Sequence, residues 1–149
     1  MAKFAFDGKT TNKKNLGLMA ATYGNVYVAQ IAMGADVNQT IWAMKEAENY
    51  PGPSLIIAYA PCINHGIKTG MATSITEEKK AVEAGYWHLY RYDPRLKDQG
   101  QNLFQLDSKE PSGNYQEFLR GEIRYLQREN TFPDIAKKLF DQSEQFAKE

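Results

Sequence analysis

Few side chains in this sequence have the chemistry to bind a soft metal or attack an electrophile. They are one cysteine, Cys62, and two histidines, His65 and His88. Pro61 precedes Cys62 and Asn64-His65-Gly66 follows it, which places the thiol in a turn that a ligand or partner can reach. A lone cysteine is also among the most buried residue types and packs as a small hydrophobe. Residue type alone leaves both readings open. Nucleophilic catalysis is the weaker case, because activation by His65 depends on spatial rather than sequential fit. Two histidines exclude a histidine-rich metal site, and His88 sits in an aromatic run as a packing or surface residue. Neither G-x-x-x-x-G-K-S/T nor G-x-G-x-x-G occurs, so no glycine loop is available to cradle a phosphate.

Elements must position that thiol. Asn15 or Asn12 caps a short helix with Leu16, Met19 and Tyr23 on one face, ended by Gly24. The β-branched and aromatic run Val26-Tyr27-Val28-Ala29-Gln30-Ile31 predicts a buried strand. Asp36 with Gln39 forms a capping-box pattern. The helix behind it carries Val37, Ile41 and Met44 as a core stripe and ends at Pro51-Gly52-Pro53. Leu55 to Ala60 is a second apolar run. Strand, helix and strand at this spacing predict a parallel βαβ unit, with Cys62 at the carboxyl end of its second strand, where α/β sheets build their sites. Both strands read as interior strands, yet the chain offers few others to flank them. Either the hairpin flanks them or, the preferred expectation, strands upstream complete the sheet, whose exposed edge pairs with another copy or is covered by the hairpin and tail.

Beyond a loop with Asn64, Gly66 and Gly70, Ser74 and Glu77 cap a helix through Val82 that stops at Gly85. Tyr86 to Tyr92 is strand-like, with Trp87, Leu89 and Arg91 on one face, and Leu103 to Leu106 supplies its hairpin partner. The tail is helical. Tyr115, Phe118, Leu119, Glu122, Ile123 and Leu126 share one period after Ser112. Ile135, Ala136, Leu139, Phe140 and Phe146 share another after Pro133, a first-turn proline, and the two helices form a hairpin.

Composition sets the outer bounds. The 149 residues suffice for one domain, and 42% hydrophobic and 12% aromatic content argues against disorder. With 18 basic and 18 acidic side chains, nothing favours nucleic acid. Packing is therefore the reading for Tyr86, Trp87, Tyr90 and Tyr92, rather than base stacking. Lys13-Lys14, Lys79-Lys80 and Glu77-Glu78 read as solvated faces. No apolar run approaches the roughly 20 residues of a membrane helix, and the amino terminus lacks a secretory signal's apolar stretch. A single cysteine cannot form an internal disulfide, which suits a reducing cytoplasm.

Two segments are specific beyond their spacing. Ala60-Pro61-Cys62-Ile63-Asn64-His65-Gly66 and Gly85-Tyr86-Trp87-His88-Leu89-Tyr90-Arg91 resemble the carboxy-terminal part of pyruvate:ferredoxin (flavodoxin) oxidoreductases. The stretches Tyr23 to Gln30, Ala32 to Ala35, Lys45 to Ala60 and Leu106 to Pro111 do so as well, so the resemblance covers nearly the whole chain. It implies a large homodimeric enzyme that decarboxylates pyruvate on thiamine diphosphate with Mg2+, forms acetyl-CoA, and passes electrons through 4Fe-4S clusters to ferredoxin or flavodoxin. It also implies that Cys62 is the fourth ligand of the cluster nearest the thiamine, whose other three cysteines lie upstream.

The family's Gly-Asp-Gly thiamine motif is not here, since only Asp7-Gly8 occurs and Phe6 precedes it. The resemblance therefore implies a piece that carries no catalytic or cofactor-binding residue and is silent alone. Residues 1–72 would be the carboxy-terminal part of the thiamine-diphosphate-binding domain with the cysteine loop. Residues 73–149 would be the remaining helix, aromatic strand and helical tail of that domain. The rival expectations are a stand-alone interaction module with a structural Cys62 and the same domain of another 2-oxoacid oxidoreductase.

Overall fold

The computed structural model describes residues 14–148. The apolar pair Phe4 and Phe6, Asp7-Gly8, the alternative cap Asn12 and Lys13 lie outside the described residues. Helix α1 (Leu16–Ala21) starts at Asn15, whose side chain accepts from the Leu18 amide at 2.9 Å. Strand β1 (Tyr27–Ile31), helix α2 (Val37–Glu48) and strand β2 (Ser54–Ala58) form the expected parallel βαβ unit. Helix α3 (Ser74–Glu83), strand β3 (Tyr90–Tyr92) and strand β4 (Phe104–Leu106) follow. The tail comprises α4 (Tyr115–Gly121), α5 (Ile123–Thr131) and α6 (Pro133–Lys148). The strand order is β2-β1-β3-β4, with β3 antiparallel to both β1 and β4. The fold class is thus α/β, on a mixed open sheet. The hairpin flanks β1, which makes β1 interior, while β2 pairs on one side only among the described residues.

Alternation along β1 separates two helices. Tyr27, Ala29 and Ile31 face α2 and pack with Ala43, Ala47, Tyr50 and Ile56. The opposite row, Gln30, Ile57 and Tyr90, faces α1. Close approach there requires glycine: a Cβ at Gly17 would lie 1.8 Å from the Tyr90 hydroxyl. The apolar side chains Leu16, Met19 and Tyr23 of α1 are exposed, so its buried residue is Gly17 rather than the apolar face.

The α2 stripe is a correction. Val37, Ile41 and Met44 are 55%, 44% and 49% exposed, and the helix buries Gln39, Thr40 and Ala43 instead. The sheet explains this, because Arg91 of β3 projects a guanidinium onto the face that α2 covers. Arg91 donates twice to Asp107 at 2.9 Å and once to Glu46 at 2.6 Å, and the Tyr27 hydroxyl donates to Glu46 at 2.8 Å. Gln39 donates to Asp107 at 3.0 Å. A buried cation demands polar partners, so α2 turns its polar side inward. Asp36 accepts from the Gln39 amide as expected, but the Gln39 side chain serves this network rather than a capping box.

Two sequence expectations for α3 and the strand after it are also revised. Gly85 (φ 73°) and Tyr86 close α3 as a Schellman motif, with Gly85 N–H donating to Val82 O and Tyr86 N–H to Ala81 O. Trp87 N–H donates to the same Ala81 carbonyl, so the backbone at 86–87 caps a helix and the strand begins only at Tyr90. Ser74 is the first helical residue rather than the cap, and Thr73 before it makes no side-chain cap bond.

Glu77 and Glu78 are buried, not a solvated face. Glu78 accepts from the Gly34 amide at 2.8 Å. Glu77 is 1% exposed, meets Lys80 at 3.7 Å and leaves its Oε1 without a hydrogen bond. Burial raises its carboxyl pKa, and nearby Glu122 adds to that rise against the pull of Lys80.

The tail corrects the reading of one continuous helix from Tyr115 to Leu126. At Glu122 the chain is extended (φ −93°, ψ 124°), which separates α4 from α5. The hairpin of α5 and α6 forms as expected, with Pro133 opening α6. Beyond the strand ends, α3, α4 and α6 enclose an aromatic core of Tyr59, Tyr86, Trp87, Tyr115, Phe118, Tyr125 and Phe140. Tyr86 stands 4.8 Å from Phe118, and the Trp87 indole donates to the Ile31 carbonyl at 3.0 Å. These aromatics pack, as composition required.

Two predictions follow from the buried charges. Arg91→Ala should lower unfolding stability by about 3 kcal/mol, because it strands Asp107 and half-buried Glu46 without their cation. Urea denaturation checks this, and a loss below 1 kcal/mol would contradict it. Glu77→Gln should raise the urea midpoint at neutral pH. The raised folded pKa penalises the ionised form above that pKa, so the gain should shrink as pH falls through it.

Candidate functional site

Cys62 is placed by the end of the parallel unit. Tyr59 N–H donates to Ile31 O at 3.0 Å and carries the ladder one step beyond β2. Its ring is buried against Trp87 (centroids 5.4 Å apart) and Tyr86 (6.0 Å), and Pro61 is buried too. The chain then turns, and Gly66 N–H donates to Cys62 O at 2.8 Å, with Gly66 at φ 81°. A left-handed glycine is what permits so tight a return. Ile67 then re-enters the core. Between these anchors Cys62 is half-buried, and its neighbour Ile63 is 86% exposed. The turn expected from Pro61 and Asn64-His65-Gly66 is present, at the carboxyl end of β2.

Among the described residues the thiol has one side-chain partner, the His65 Nδ1 at 3.1 Å from Sγ. That contact lowers the thiol pKa to about 7, assisted by the backbone amides of His65 and Asn64 and opposed by burial. Much of Cys62 is therefore thiolate at neutral pH, the form that ligates metals. His65 is brought to the thiol, whereas His88 is not part of this contact: its carbonyl accepts from the Gln30 side chain at 2.7 Å. Among the described residues no group of three or more Cys, His, Asp or Glu side chains is arranged to hold a metal. A thiolate is a donor type that suits a soft metal centre.

Sequence reasoning missed Glu122 and Tyr59. The Tyr59 hydroxyl donates to Glu122 Oε1, and the other Glu122 oxygen pairs with Arg124. The available signal was a glutamate at an apolar position of a helical period, directly after Gly121.

Fold and site together define an α/β domain with one His65-paired cysteine beyond the carboxyl end of its second parallel strand. The chain is 57% identical over 148 residues to a pyruvate-flavodoxin oxidoreductase of Klebsiella pneumoniae. It is 58% identical over 149 residues to the enzyme of that name from Enterobacter agglomerans. It is 57% identical over 148 residues to a pyruvate:ferredoxin oxidoreductase of Moorella thermoacetica. These matches cover 99%, 100% and 99% of this chain but only 13%, 12% and 12% of the relatives. No protein-family model matches. Over nearly its whole length the chain is thus similar to a short segment of pyruvate-flavodoxin and pyruvate:ferredoxin oxidoreductases. No helix among the described residues is long and apolar enough to cross a membrane.

The geometry predicts that iodoacetamide modifies Cys62 with a half-maximal rate near pH 7. His65→Ala should move that midpoint up toward the ordinary thiol range. Rates read by peptide mass spectrometry check this, and an unmoved midpoint would remove His65 as the cause.

Proposed function

We propose that this chain is part of an enzyme that oxidatively decarboxylates pyruvate to acetyl-CoA and CO2, with ferredoxin or flavodoxin as electron acceptor. Within it, residues 1–72 and 73–149 are successive parts of the thiamine-diphosphate-binding domain, and Cys62 is the fourth thiolate of a 4Fe-4S cluster. The observation that carries this is 57–58% identity over nearly the whole chain to oxidoreductases so named, beside a single thiol that contacts His65 at the carboxyl end of a parallel strand.

When bound, such a cluster relays single electrons. This chain's own contribution is narrower. His65 and two backbone amides stabilise the thiolate, so little proton release opposes ligation. The turn from Pro61 to Gly66 holds Cys62 half-buried at the end of the parallel unit. The rest of the enzyme supplies three cysteines, the thiamine diphosphate and Mg2+ site, the pyruvate and CoA sites and the dimer contact. A cytoplasmic location agrees with a thiol kept reduced.

In the intact oxidoreductase, Cys62→Ala should lower bound iron by about one four-iron cluster per chain and abolish pyruvate-dependent flavodoxin reduction. Full iron content in that variant would refute the assignment. The isolated 149-residue chain should reduce no viologen dye with pyruvate. Turnover by it would show that the thiamine site is here after all.

A further inference from the structure

The tail grips the Cys62 loop from both sides. Lys68 N–H donates to Gly121 O at 2.8 Å and Ile123 N–H donates to Gly66 O at 3.2 Å, which makes Ile67 and Glu122 an isolated antiparallel bridge. Before the loop, the Tyr59 hydroxyl donates to Glu122 Oε1. After it, Gly66, already held by Ile123, closes back on the Cys62 carbonyl. Glu122 is thus joined to the chain three residues before the thiol and five residues after it.

That arrangement is expensive locally. Glu122 is 1% exposed, its extended backbone interrupts a helix, and Glu77 stands close enough for their charges to repel. Replacing a buried ionic group by a well-packed apolar one is often neutral or stabilising, so stability alone does not account for it. What the break accomplishes is to free Gly121 O and Ile123 N–H from the helical ladder and turn them to the loop.

We propose that Glu122 is a positioning residue for Cys62. Its carboxylate fixes Tyr59 and its extended backbone fixes Gly66 to Lys68, so the loop holds the sulfur in place before the other ligands close around the metal. Supported ligands of this kind set both affinity and electronic tuning at metal centres. The inference rests on Cys62 being a cluster ligand, and the experiment separates the two.

In the intact oxidoreductase, hydrogen exchange of residues 62–68 is measured after cluster removal, beside the midpoint potential and spin-resonance line shape of the loaded enzyme. Glu122→Ala should speed exchange in 62–68 by about tenfold, the scale of one lost charge-assisted hydrogen bond. Exchange in β1 and β2 should stay unchanged. In Glu122→Ala iron content should hold while the line shape or potential shifts, and Glu122→Gln, which keeps an oxygen for Tyr59, should restore most of the protection and of the signal. Tyr59→Phe removes only the hydroxyl and serves if Glu122→Ala does not fold.

Exchange that rises equally in the strands, or nowhere, overturns the proposal. So does a loosened loop with an unmoved cluster signal. Full iron in Cys62→Ala would instead sink the ligand assignment while leaving the exchange result standing.

Discussion

The buried bond between the Tyr59 hydroxyl and Glu122 joins the two halves of this molecule. Tyr59 closes the parallel unit, and Glu122 opens α5. Without a carboxylate at that point the tail would have no reason to break its helix, and the loop bearing Cys62 would lose its second wall. Burial, and then the bond to Glu122, hold the Tyr59 hydroxyl far above the ordinary phenol range, so it remains a donor at any physiological pH. Arg124 balances the carboxylate, and its guanidinium lies 4.7 Å from the Tyr125 ring centroid. A charge enclosed this way is kept by its partners and not by its own contribution to stability.

The sheet has an equivalent device in Arg91. Its fork to Asp107 ties β3 to the segment after β4, and its third bond ties it to α2. Leu89 N–H donates to Ser108 Oγ at 2.5 Å, and the Asp107 and Ser108 amides return to the Leu89 carbonyl. The segments around Arg91 and Asp107, 16 residues apart, therefore form one structural unit. Helix α2 spends its polar side on that unit and leaves Val37, Ile41 and Met44 facing outward. Among the described residues β2 pairs on one side only.

The proposed site is one small place. A half-buried thiol is tuned by a histidine three residues on, held by a glycine return and backed by a rigid aromatic core. Its neighbours in the chain, Ile63 and Asn64, are exposed.

Local chemistry was legible in the sequence. Asn15 and Asp36 as caps, the βαβ unit, Gly85 as a helix stop, Pro133 as a helix start and the turn around Cys62 each depend on residues within a few positions of one another. The family was legible for the same reason, because its marks are short contiguous segments. Tertiary structure alone decided the rest. The apolar stripe of α2 faces outward because a distant arginine claims the other side. Glu77 and Glu78 are buried because α3 lies against the tail and the loop after β1. A helical period that runs unbroken through Glu122 is broken because Tyr59 and the Cys62 loop offer that residue better partners than its own helix. Periodicity records which residues prefer company, but only packing determines which company they keep.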